Sequence, residues 1–546
     1  MNHTDLTKPA DLLSHFAGTG PLRKQRPEYT DFMPPCNSAC PAGENIQAWM
    51  DQAQAGNYYE AFQVLVADNP FPSIMGRVCV RSCETGCNRN HIDNTVSIHA
   101  VERFIGDKAI EEKWIPHYSA KLSGKKVLVV GSGPAGLSAA YHLVRLGHSV
   151  SVFEADAAIG GLMRFGIPSY RLPRPILEAE IGRLEKMGIQ FRVNYKVSNL
   201  EQEKEAGGFD AVFLAIGAQV IHNEEIIRAA DFPVTDAFTF LKTHNGGKAY
   251  QNKKVVVYGG GKLAMYIARI LKRLGAEAIV IFPGDRKLMP AYDYEADDAV
   301  SEGVEISFLR RIHEINGSQF TLEVMKVEKG KAVGTGEWET IEAHSLVLAL
   351  RQESGSGFLA GIPGMNLKED GTVVINASRM TGVDGVFAGG DMLPGEQRSV
   401  TIAIGHGKKA ARFINGFLSG DPYLKGPKHQ TASFKRLHMW YKTAAPLKEQ
   451  FRLDPLVAVR NFDEVIAGLT EKEARYEAQR CLSCGNCFEC DGCYGACPEE
   501  AIIKLGPGKG YKFDLDKCTG CAVCYEQCPC HAIEMIPEPT KDLTNA

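Results

Sequence analysis

Two stretches of the chain repeat one pattern of apolar and polar positions. Each begins with a short apolar run, continues through a glycine-rich turn and ends in a helix-like segment with one apolar face. They read KKVLVVGSGPAGLSAAYHLVRLGH from residue 125 and KKVVVYGGGKLAMYIARILKRLGA from residue 253. This order predicts a buried strand, a tight turn and a helix. Strand-like and helix-like segments alternate from there to about residue 420, so we expect two α/β domains with parallel sheets.

Length and charge narrow the class of protein. The 546 residues are enough for three or four domains. The net charge of −4 gives no basic surface for a nucleic acid or an anionic membrane. No apolar run approaches the roughly 18 residues of a membrane span, and the first residues lack the apolar core of a secretory signal. We therefore expect a soluble, cytoplasmic protein with no nucleic-acid or membrane partner.

The 16 cysteines are confined to the two ends of the chain. Five lie between Cys36 and Cys87, eleven lie between Cys481 and Cys530, and residues 88–480 contain none. Disulfides are rare in a long cytosolic chain. Cysteine clusters in a reducing compartment indicate metal binding.

The C-terminal cysteines form two consecutive runs of the type C-x2-C-x2-C-x3-C-P, the spacing of two-cluster bacterial ferredoxins. In such runs the fourth cysteine binds the other cluster. One [4Fe–4S] cluster is therefore predicted on Cys487, Cys490, Cys493 and Cys528. The second is predicted on Cys518, Cys521, Cys524 and Cys497. A pair of zinc knuckles is the alternative, but zinc sites rarely take eight cysteines in this interleaved order.

The first glycine-rich turn carries the fingerprint of a dinucleotide site. Its residues are Gly131, Gly133, Pro134, Ala135 and Gly136. The glycines permit a tight turn and close backbone approach, and the following helix presents its N-terminus to a pyrophosphate. Glu154 ends the next strand, where a carboxylate accepts hydrogen bonds from a ribose. A purely structural glycine turn in an α/β sheet is the alternative.

A later segment identifies the dinucleotide by resemblance. Residues 385–391 (GVFAGGD) and 401–407 (TIAIGHG) resemble the second flavin fingerprint of flavoproteins with two dinucleotide domains. In those proteins the aspartate, here Asp391 after Gly390, holds the ribityl chain. The next helix, beginning near Thr401 and Ile402, points its N-terminus at the isoalloxazine. Gly161 and Gly217 also fit this superfamily. The resemblance implies FAD.

The motif GGLMRFGIP at residues 160–168 narrows the match and adds Leu162 and Arg164 to the predicted flavin site. Together with GRVC at 76–79 and MPA at 289–291, it resembles the small subunit of bacterial glutamate synthase and its relatives. These include the N-terminal half of dihydropyrimidine dehydrogenase and NADH-linked iron–sulfur flavoproteins that serve sulfite-reductase-type enzymes. The resemblance covers residues from about 30 to 420. The appended ferredoxin resembles the sulfite-reductase-linked relatives.

That family carries two further [4Fe–4S] clusters in its N-terminal domain, but one C-x2-C pair of the family pattern is missing here. Cys481 and Cys484 are similar to the missing pair, displaced to the C-terminus. The resemblance implies one cluster on Cys36, Cys87, Cys481 and Cys484. It implies another on Cys40, Cys79, Cys83 and Glu102. A single N-terminal cluster, with Cys481 and Cys484 unused, is the alternative. The first arrangement predicts about sixteen iron atoms per chain, and the alternative predicts about twelve.

The second glycine-rich turn keeps the frame GxGxxA with Gly259, Gly261 and Ala264. In the relatives this domain binds NAD(P)H. Relatives that select NADPH carry paired arginines after the second strand, where this chain has Pro283 and Gly284. The nearby Asp285 can accept from an unphosphorylated ribose, which favours NADH, while Arg286 keeps NADPH open. Tyr266 and Arg351 also depart from the family pattern, so a domain that has lost its nucleotide is the alternative.

These patterns predict an α/β core of two Rossmann-like domains, an N-terminal α-helical iron–sulfur domain and a C-terminal α+β bacterial ferredoxin-like domain. The predicted parts are a helical iron–sulfur domain (1–120), an FAD-binding domain (121–250 and 351–420), an NAD(P)H-binding domain (251–350), a linker (421–480) and a two-cluster ferredoxin domain (481–546).

The predicted function is electron transfer between NAD(P)H, FAD and [4Fe–4S] clusters, to or from a partner redox enzyme or ferredoxin-type acceptor within a larger complex. No nucleophile arrangement for other chemistry is evident, so no catalytic side chain is predicted. Two alternatives remain: a glutamate synthase small subunit in the strict sense, and an electron-wiring subunit with an inactive nucleotide domain.

Overall fold

The computed structural model describes residues 23–221, 232–243, 248–395, 398–427, 429–439 and 442–539. The N-terminal part is mostly helical, as expected. Its elements are β1 (Gln25–Tyr29), α1 (Pro35–Ala39), α2 (Ile46–Ala55), α3 (Tyr58–Val66), α4 (Pro72–Val78), α5 (Ser82–Thr85) and α6 (Ile98–Glu111). Gly56 ends α2 in the left-handed region with φ of 86° and so separates α2 from α3. Trp49 and Phe62 are fully buried between these helices and α6.

The central part contains the two predicted α/β units. Elements of the first are β2 (Lys126–Val130), α7 (Pro134–Arg145), β3 (Ser149–Phe153), α8 (Leu162–Phe165), α9 (Arg174–Lys186), β4 (Gln190–Arg192), α10 (Leu200–Gly207), β5 (Ala211–Leu214) and β6 (Val220–Ile221). Elements of the second are β7 (Val234–Asp236), α11 (Ala237–Thr243), β8 (Lys254–Tyr258), α12 (Lys262–Arg273), β9 (Glu277–Phe282), α13 (Asp293–Ser301), β10 (Glu305–Phe308), β11 (Arg310–Asn316), β12 (Gln319–Glu328), β13 (Lys331–Glu342), β14 (Ser345–Leu348) and β15 (Gln352–Glu353).

The remaining elements return to the first sheet and then form the C-terminal module. They are β16 (Val386–Ala388), α14 (Val400–Ser419), α15 (Pro455–Ala458), α16 (Glu471–Gln479), α17 (Gly492–Ala496), β17 (Ile502–Lys504), β18 (Tyr511–Phe513), α18 (Val523–Glu526) and β19 (Ile533–Pro537). Among the described residues, no helix combines the length and the apolar composition that a membrane span requires.

Both central sheets are parallel. The first has the strand order β16-β5-β2-β3-β4 and the second β10-β9-β8-β14-β7. Their inner strands, KVLVV and KVVVY, are buried after the first residue, as expected for strands of a parallel sheet that is covered on both faces. Strands β11, β12 and β13 form a separate antiparallel sheet. Each parallel sheet brings its glycine-rich turn to the carboxyl end of its strands, where α/β proteins bind ligands.

One pairing joins the two ends of the chain. Strand β1 pairs antiparallel with β19, in register from Gln25 opposite Pro537 to Tyr29 opposite Ile533. The Tyr29 ring stacks on Phe513 with ring centroids 4.6 Å apart. The N-terminal segment therefore completes a sheet of the C-terminal module before the chain enters the helical part.

Candidate functional site

A cavity of about 940 Å³ lies where the carboxyl ends of the two parallel sheets face each other. Both glycine-rich turns contribute to its wall. Twelve of the predicted nucleotide-binding residues line it: Gly131, Gly133, Pro134, Ala135, Glu154, Gly161, Leu162, Gly217, Gly259, Gly261, Gly390 and Asp391. Seven others do not: Gly136, Arg164, Ala264, Asp285, Arg286, Thr401 and Ile402.

The first turn fits a pyrophosphate because side chains are excluded from it. Gly131 has φ of 100°, and a Cβ there would lie 2.5 Å from the carbonyl oxygen of Ala215. A Cβ on Gly136 would lie 2.0 Å from the carbonyl oxygen of Gly131, so this glycine allows α7 to pack against the turn. Around Gly133 an added Cβ would meet no atom within 4 Å, because the residue faces the cavity. These are the three roles that glycines have in dinucleotide turns.

Glu154 is held in place at the end of β3. Its carboxylate accepts hydrogen bonds from the backbone N–H of Ser132 and of Asp156, both at 2.8 Å, and from the Ser132 hydroxyl. The side chain is nevertheless part of the cavity wall. A carboxylate has about four acceptor positions, so Glu154 retains capacity for a ribose hydroxyl.

The helix that follows the second flavin motif begins at the cavity. Ser399 caps α14 by accepting from the backbone N–H of Ile402 at 3.2 Å. Val400 and Ala403 line the cavity, and Asp391 faces it from the preceding turn. Burial raises the pKa of Asp391, while Arg398 and Lys262 oppose the shift. The positive end of a 20-residue helix thus lies beside the cavity.

The second turn has the same backbone features with different side chains. Gly259 has φ of 137°, and a Cβ there would lie 2.2 Å from the carbonyl oxygen of Ala349. Lys262 lines the cavity with its ammonium 4.4 Å from the centre of the Tyr292 ring, and burial lowers its pKa. Tyr266 also lines the cavity and donates to Glu295 at 3.1 Å. Sequence reasoning missed Lys262, although it stands inside the glycine-rich motif.

Asp285 and Arg286 are occupied by neighbours outside the cavity. The Asp285 carboxylate accepts from the backbone N–H of Leu288 at 3.0 Å and caps a short turn. Arg286 forms ion pairs with Asp293 at 3.1 Å and Asp297 at 2.8 Å. These contacts hold the guanidinium against α13.

Cysteines from opposite ends of the chain meet at one small cavity beside α1. Its lining includes four thiols, Cys36, Cys87, Cys481 and Cys484. Burial raises the pKa of Cys36, and the thiols of Cys481 and Cys87 raise it further. Such a mutual effect requires that the sulfur atoms lie close together. This grouping is the one expected from the displaced cysteine pair.

A second group lies on the side of α1 that is nearer the large cavity. Burial raises the pKa of Cys83, with Glu84, Cys79, Cys40 and Glu102 adding to the shift in that order. Glu102 is 5% exposed. The Asn69 amide donates to Glu102 at 2.8 Å and to Glu44 at 3.0 Å, so a second buried carboxylate, which the sequence pattern does not indicate, adjoins this group.

The C-terminal cysteines fall into the two interleaved sets expected from their spacing. Cys497, Cys518, Cys521 and Cys524 line one small cavity. Burial raises the pKa of Cys487 to about 11, and the nearby Cys493, Cys528 and Cys490 add to that shift.

No three His, Cys, Asp or Glu side chains in the described ranges converge tightly enough to hold a single metal ion. A [4Fe–4S] cluster has four iron atoms, each with its own protein ligand, so its ligands stand further apart than those of one ion. The four groups are therefore compatible with clusters in donor type and in number.

Comparisons with known proteins agree with this geometry. The sequence profile described as pyridine nucleotide-disulphide oxidoreductase matches residues 98–228 and 125–407, which is more than half of the chain. The chain is a member of the pyridine nucleotide-disulphide oxidoreductase family. Two iron–sulfur profiles extend the match: dihydropyrimidine dehydrogenase domain II, 4Fe-4S cluster, at residues 31–114, and 4Fe-4S binding domain at 511–534.

Known relatives align with most of the length of this oxidoreductase. It is 32% identical to the glutamate synthase [NADPH] small chain of Mycobacterium tuberculosis, over 76% of this chain and 91% of the relative. It is 30% identical to the NADP(+)-dependent formate dehydrogenase subunit beta of Moorella thermoacetica, over 82% and 70%. It is 28% identical to the NADPH-Fe(3+) oxidoreductase subunit beta of Geobacter sulfurreducens, over 87% and 78%.

These comparisons confirm the resemblance to the glutamate synthase small subunit. They also confirm that this family member is an iron–sulfur oxidoreductase with FAD/NAD(P)-type domains.

Proposed function

We propose that this chain is the electron-transfer subunit of a redox complex, with FAD in the first glycine-rich turn, NAD(P)H in the second and four [4Fe–4S] clusters. The observation that carries the proposal is the convergence of sixteen ligand side chains into four groups, one of which lies next to the large cavity. When bound, FAD accepts two electrons as a hydride from a nicotinamide and releases them singly, which is what one-electron clusters require.

The ligands proposed for the clusters are those expected from the sequence. Cys40, Cys79, Cys83 and Glu102 hold the cluster nearest the flavin. Cys36, Cys87, Cys481 and Cys484 hold the next. Cys487, Cys490, Cys493 and Cys528 hold the third. Cys497, Cys518, Cys521 and Cys524 hold the fourth.

Short connections along the chain support this order of the clusters. Val78 lines the large cavity and Cys79 follows it directly. Cys36 and Cys40 lie at the two ends of α1 and are joined by a backbone hydrogen bond of 3.1 Å. Only two residues separate Cys484 from Cys487. The order therefore runs from the cavity through the helical part to the C-terminal module, where Cys521 is exposed.

The residues of the chain bind and orient the two nucleotides. Glu154 accepts from the FAD ribose, Asp391 holds the ribityl chain, and the N-terminus of α14 stabilises negative charge on the flavin ring. In the second turn Gly259 and Gly261 allow a pyrophosphate to approach the backbone. We propose NADH as the nicotinamide, because Pro283 and Gly284 replace paired arginines and Arg286 is committed to α13.

The relatives support a partner redox enzyme as the acceptor or donor. Two are named as beta subunits, one of a formate dehydrogenase and one of an NADPH-Fe(3+) oxidoreductase, and a third is a glutamate synthase small chain. If this chain is a glutamate synthase small subunit in the strict sense, it will co-purify with a large amidotransferase subunit. Otherwise we propose that the exposed C-terminal module docks a different enzyme or a ferredoxin-type acceptor.

A second candidate is an electron-wiring subunit whose second turn binds no nicotinamide. Tyr266 and Arg351 favour it, because both depart from the family pattern and line the shared cavity. Here the flavin exchanges electrons only with clusters.

The decisive experiment is anaerobic titration of the purified protein with NADH and, separately, with NADPH. The proposal expects FAD and about sixteen iron atoms per chain, flavin bleaching by NADH and a weaker response to NADPH. Bleaching by neither nucleotide, with full cofactor content, supports the wiring subunit. Protein that contains zinc in place of iron, or no flavin, overturns both.

A further inference from the structure

The first turn of α14 separates the large cavity from the group of ligands around Cys79. Val400 and Ala403 are part of the cavity wall, whereas Thr401 is 1% exposed and points away from it. Successive helical residues are rotated by about 100°, so one turn presents different residues to the two sides. The resemblance to flavoproteins implied that Thr401 binds flavin, but its side chain faces the cysteines.

The Thr401 hydroxyl donates a hydrogen bond to the Cys79 sulfur at 3.2 Å. The backbone N–H of Arg81 donates to the same sulfur at 3.4 Å. A buried hydroxyl needs a partner, and the sulfur is the partner that the structure gives to Thr401. A hydroxyl that donates to a thiolate stabilises its negative charge.

We propose that Thr401 is a positioning residue that raises the reduction potential of the cluster next to the flavin, by hydrogen bonding to its Cys79 ligand. This inference rests on the proposed function, because it takes Cys79 as a ligand. Reduction adds one negative charge to a cluster, and hydrogen bonds to its sulfur atoms favour the reduced form. The hydroxyl keeps its proton, and the electron passes from the flavin to the cluster.

Side chains also contact sulfur atoms of two other predicted clusters. The Asn88 amide donates to Cys484 at 3.5 Å, and the Tyr29 hydroxyl lies 3.6 Å from the Cys493 sulfur. Thr401 has the shortest of these three contacts and is the one whose helix also borders the large cavity. Tyr29 offers a matched control, since it is a hydroxyl donor to a cluster of the C-terminal module.

The test is a redox titration of the full-length holoprotein, followed by electron paramagnetic resonance for the clusters and by absorbance for the flavin. Thr401→Val removes the hydroxyl and keeps the shape. At a fixed potential, the ratio of reduced to oxidised forms should fall about tenfold for one cluster, while the flavin and the other clusters titrate as before. Thr401→Ser should restore the ratio. Tyr29→Phe should shift a different cluster.

The outcomes separate this inference from the proposed function. If Thr401→Val keeps its full iron content and no cluster shifts, Thr401 does not act on a cluster. A shift of the flavin alone assigns Thr401 to the flavin and also overturns the inference. If the valine variant loses iron, Thr401→Ala takes its place in the test. The inference then stands only if the alanine variant keeps its iron and shows the fall in the ratio of reduced to oxidised cluster that is expected for valine. A parent protein without clusters refutes the proposed function itself.

Discussion

Replacing Arg480 by methionine should release the segment that carries Cys481 and Cys484. Arg480 is 2% exposed and donates to Glu477 at 2.8 Å, to Asp93 at 3.1 Å and to three backbone carbonyl oxygens at 2.7–3.1 Å. Its guanidinium thereby joins α16 to the loop that follows the N-terminal cysteines. Methionine fills much of the volume but makes none of these bonds.

The size of the effect follows from the carboxylate left behind. Glu477 is fully buried, and Arg480 is its ion-pair partner. Breaking a buried pair by removing one member costs about 3–5 kcal/mol. Because each 1.4 kcal/mol is a factor of ten, local opening of residues 471–484 should become roughly 100- to 4000-fold more frequent.

Hydrogen exchange of peptides from residues 471–484 measures this opening, and iron release to a chelator measures its consequence. Arg475→Met is the control, because Arg475 is exposed on the same helix and makes one contact of 3.4 Å with the Gln54 carbonyl oxygen. Equal exchange and equal iron retention in the two variants would refute the view that Arg480 holds the displaced cysteine pair in place.

Three further predictions concern single side chains. Cys481→Ser should lower the iron content from about sixteen to about twelve atoms per chain, whereas Cys530→Ser should keep it; equal contents would favour a single N-terminal cluster. Gly131→Ala should abolish FAD binding, because a Cβ would lie 2.5 Å from a carbonyl oxygen, while Gly182→Ala, with open space around its Cβ, should retain FAD; retention by both would refute the steric argument. Burial lowers the pKa of His406 to about 4, so its neutral form stabilises the fold above pH 6.5 and this contribution is lost as the pH falls from 6.5 to 4. His406→Asn, which does not titrate, should melt with a flatter pH dependence over that range; parallel curves would contradict it.

The chemistry of the chain was predictable where it depends on local spacing. The glycine frames fix the turns because certain positions, among them Gly131 and Gly259, tolerate no side chain. The interleaving of the C-terminal cysteines follows from the geometry of a two-cluster fold, and the expected sets meet in the structure. The surplus of Cys481 and Cys484 over the ferredoxin runs indicated a role elsewhere, and these two thiols lie with Cys36 and Cys87.

Features that depend on packing were not predictable. The direction of Thr401 is decided by how α14 is rotated against its neighbours, and the flavin motif does not encode that angle. Arg286 was open as a nucleotide ligand, but acidic residues seven and eleven positions later capture it. Strand β1 has the sequence QRPEY, without alternation of apolar and polar residues, and its partner β19 is at the other end of the chain.

The contacts between the two ends of the chain favour a C-terminal module that takes part in the proposed electron path. Strand β1 pairs with β19, and Arg23 contacts Glu538 and the carbonyl oxygens of Leu515 and Cys518. Cys481 and Cys484 complete a group whose other members are N-terminal.

Truncation after residue 480 should therefore remove more than the two ferredoxin clusters. Without Cys481 and Cys484, the group around Cys36 loses half of its ligands, so about four iron atoms per chain should remain, on the cluster around Cys79. If Cys481 and Cys484 are unused, truncation also leaves about four, but the intact chain then holds about twelve iron atoms and not about sixteen. Iron analysis of the intact and the truncated proteins, with FAD content and hydrogen exchange as controls for folding, distinguishes a loss of about twelve iron atoms from a loss of about eight, and a loss of about eight would refute a shared cluster.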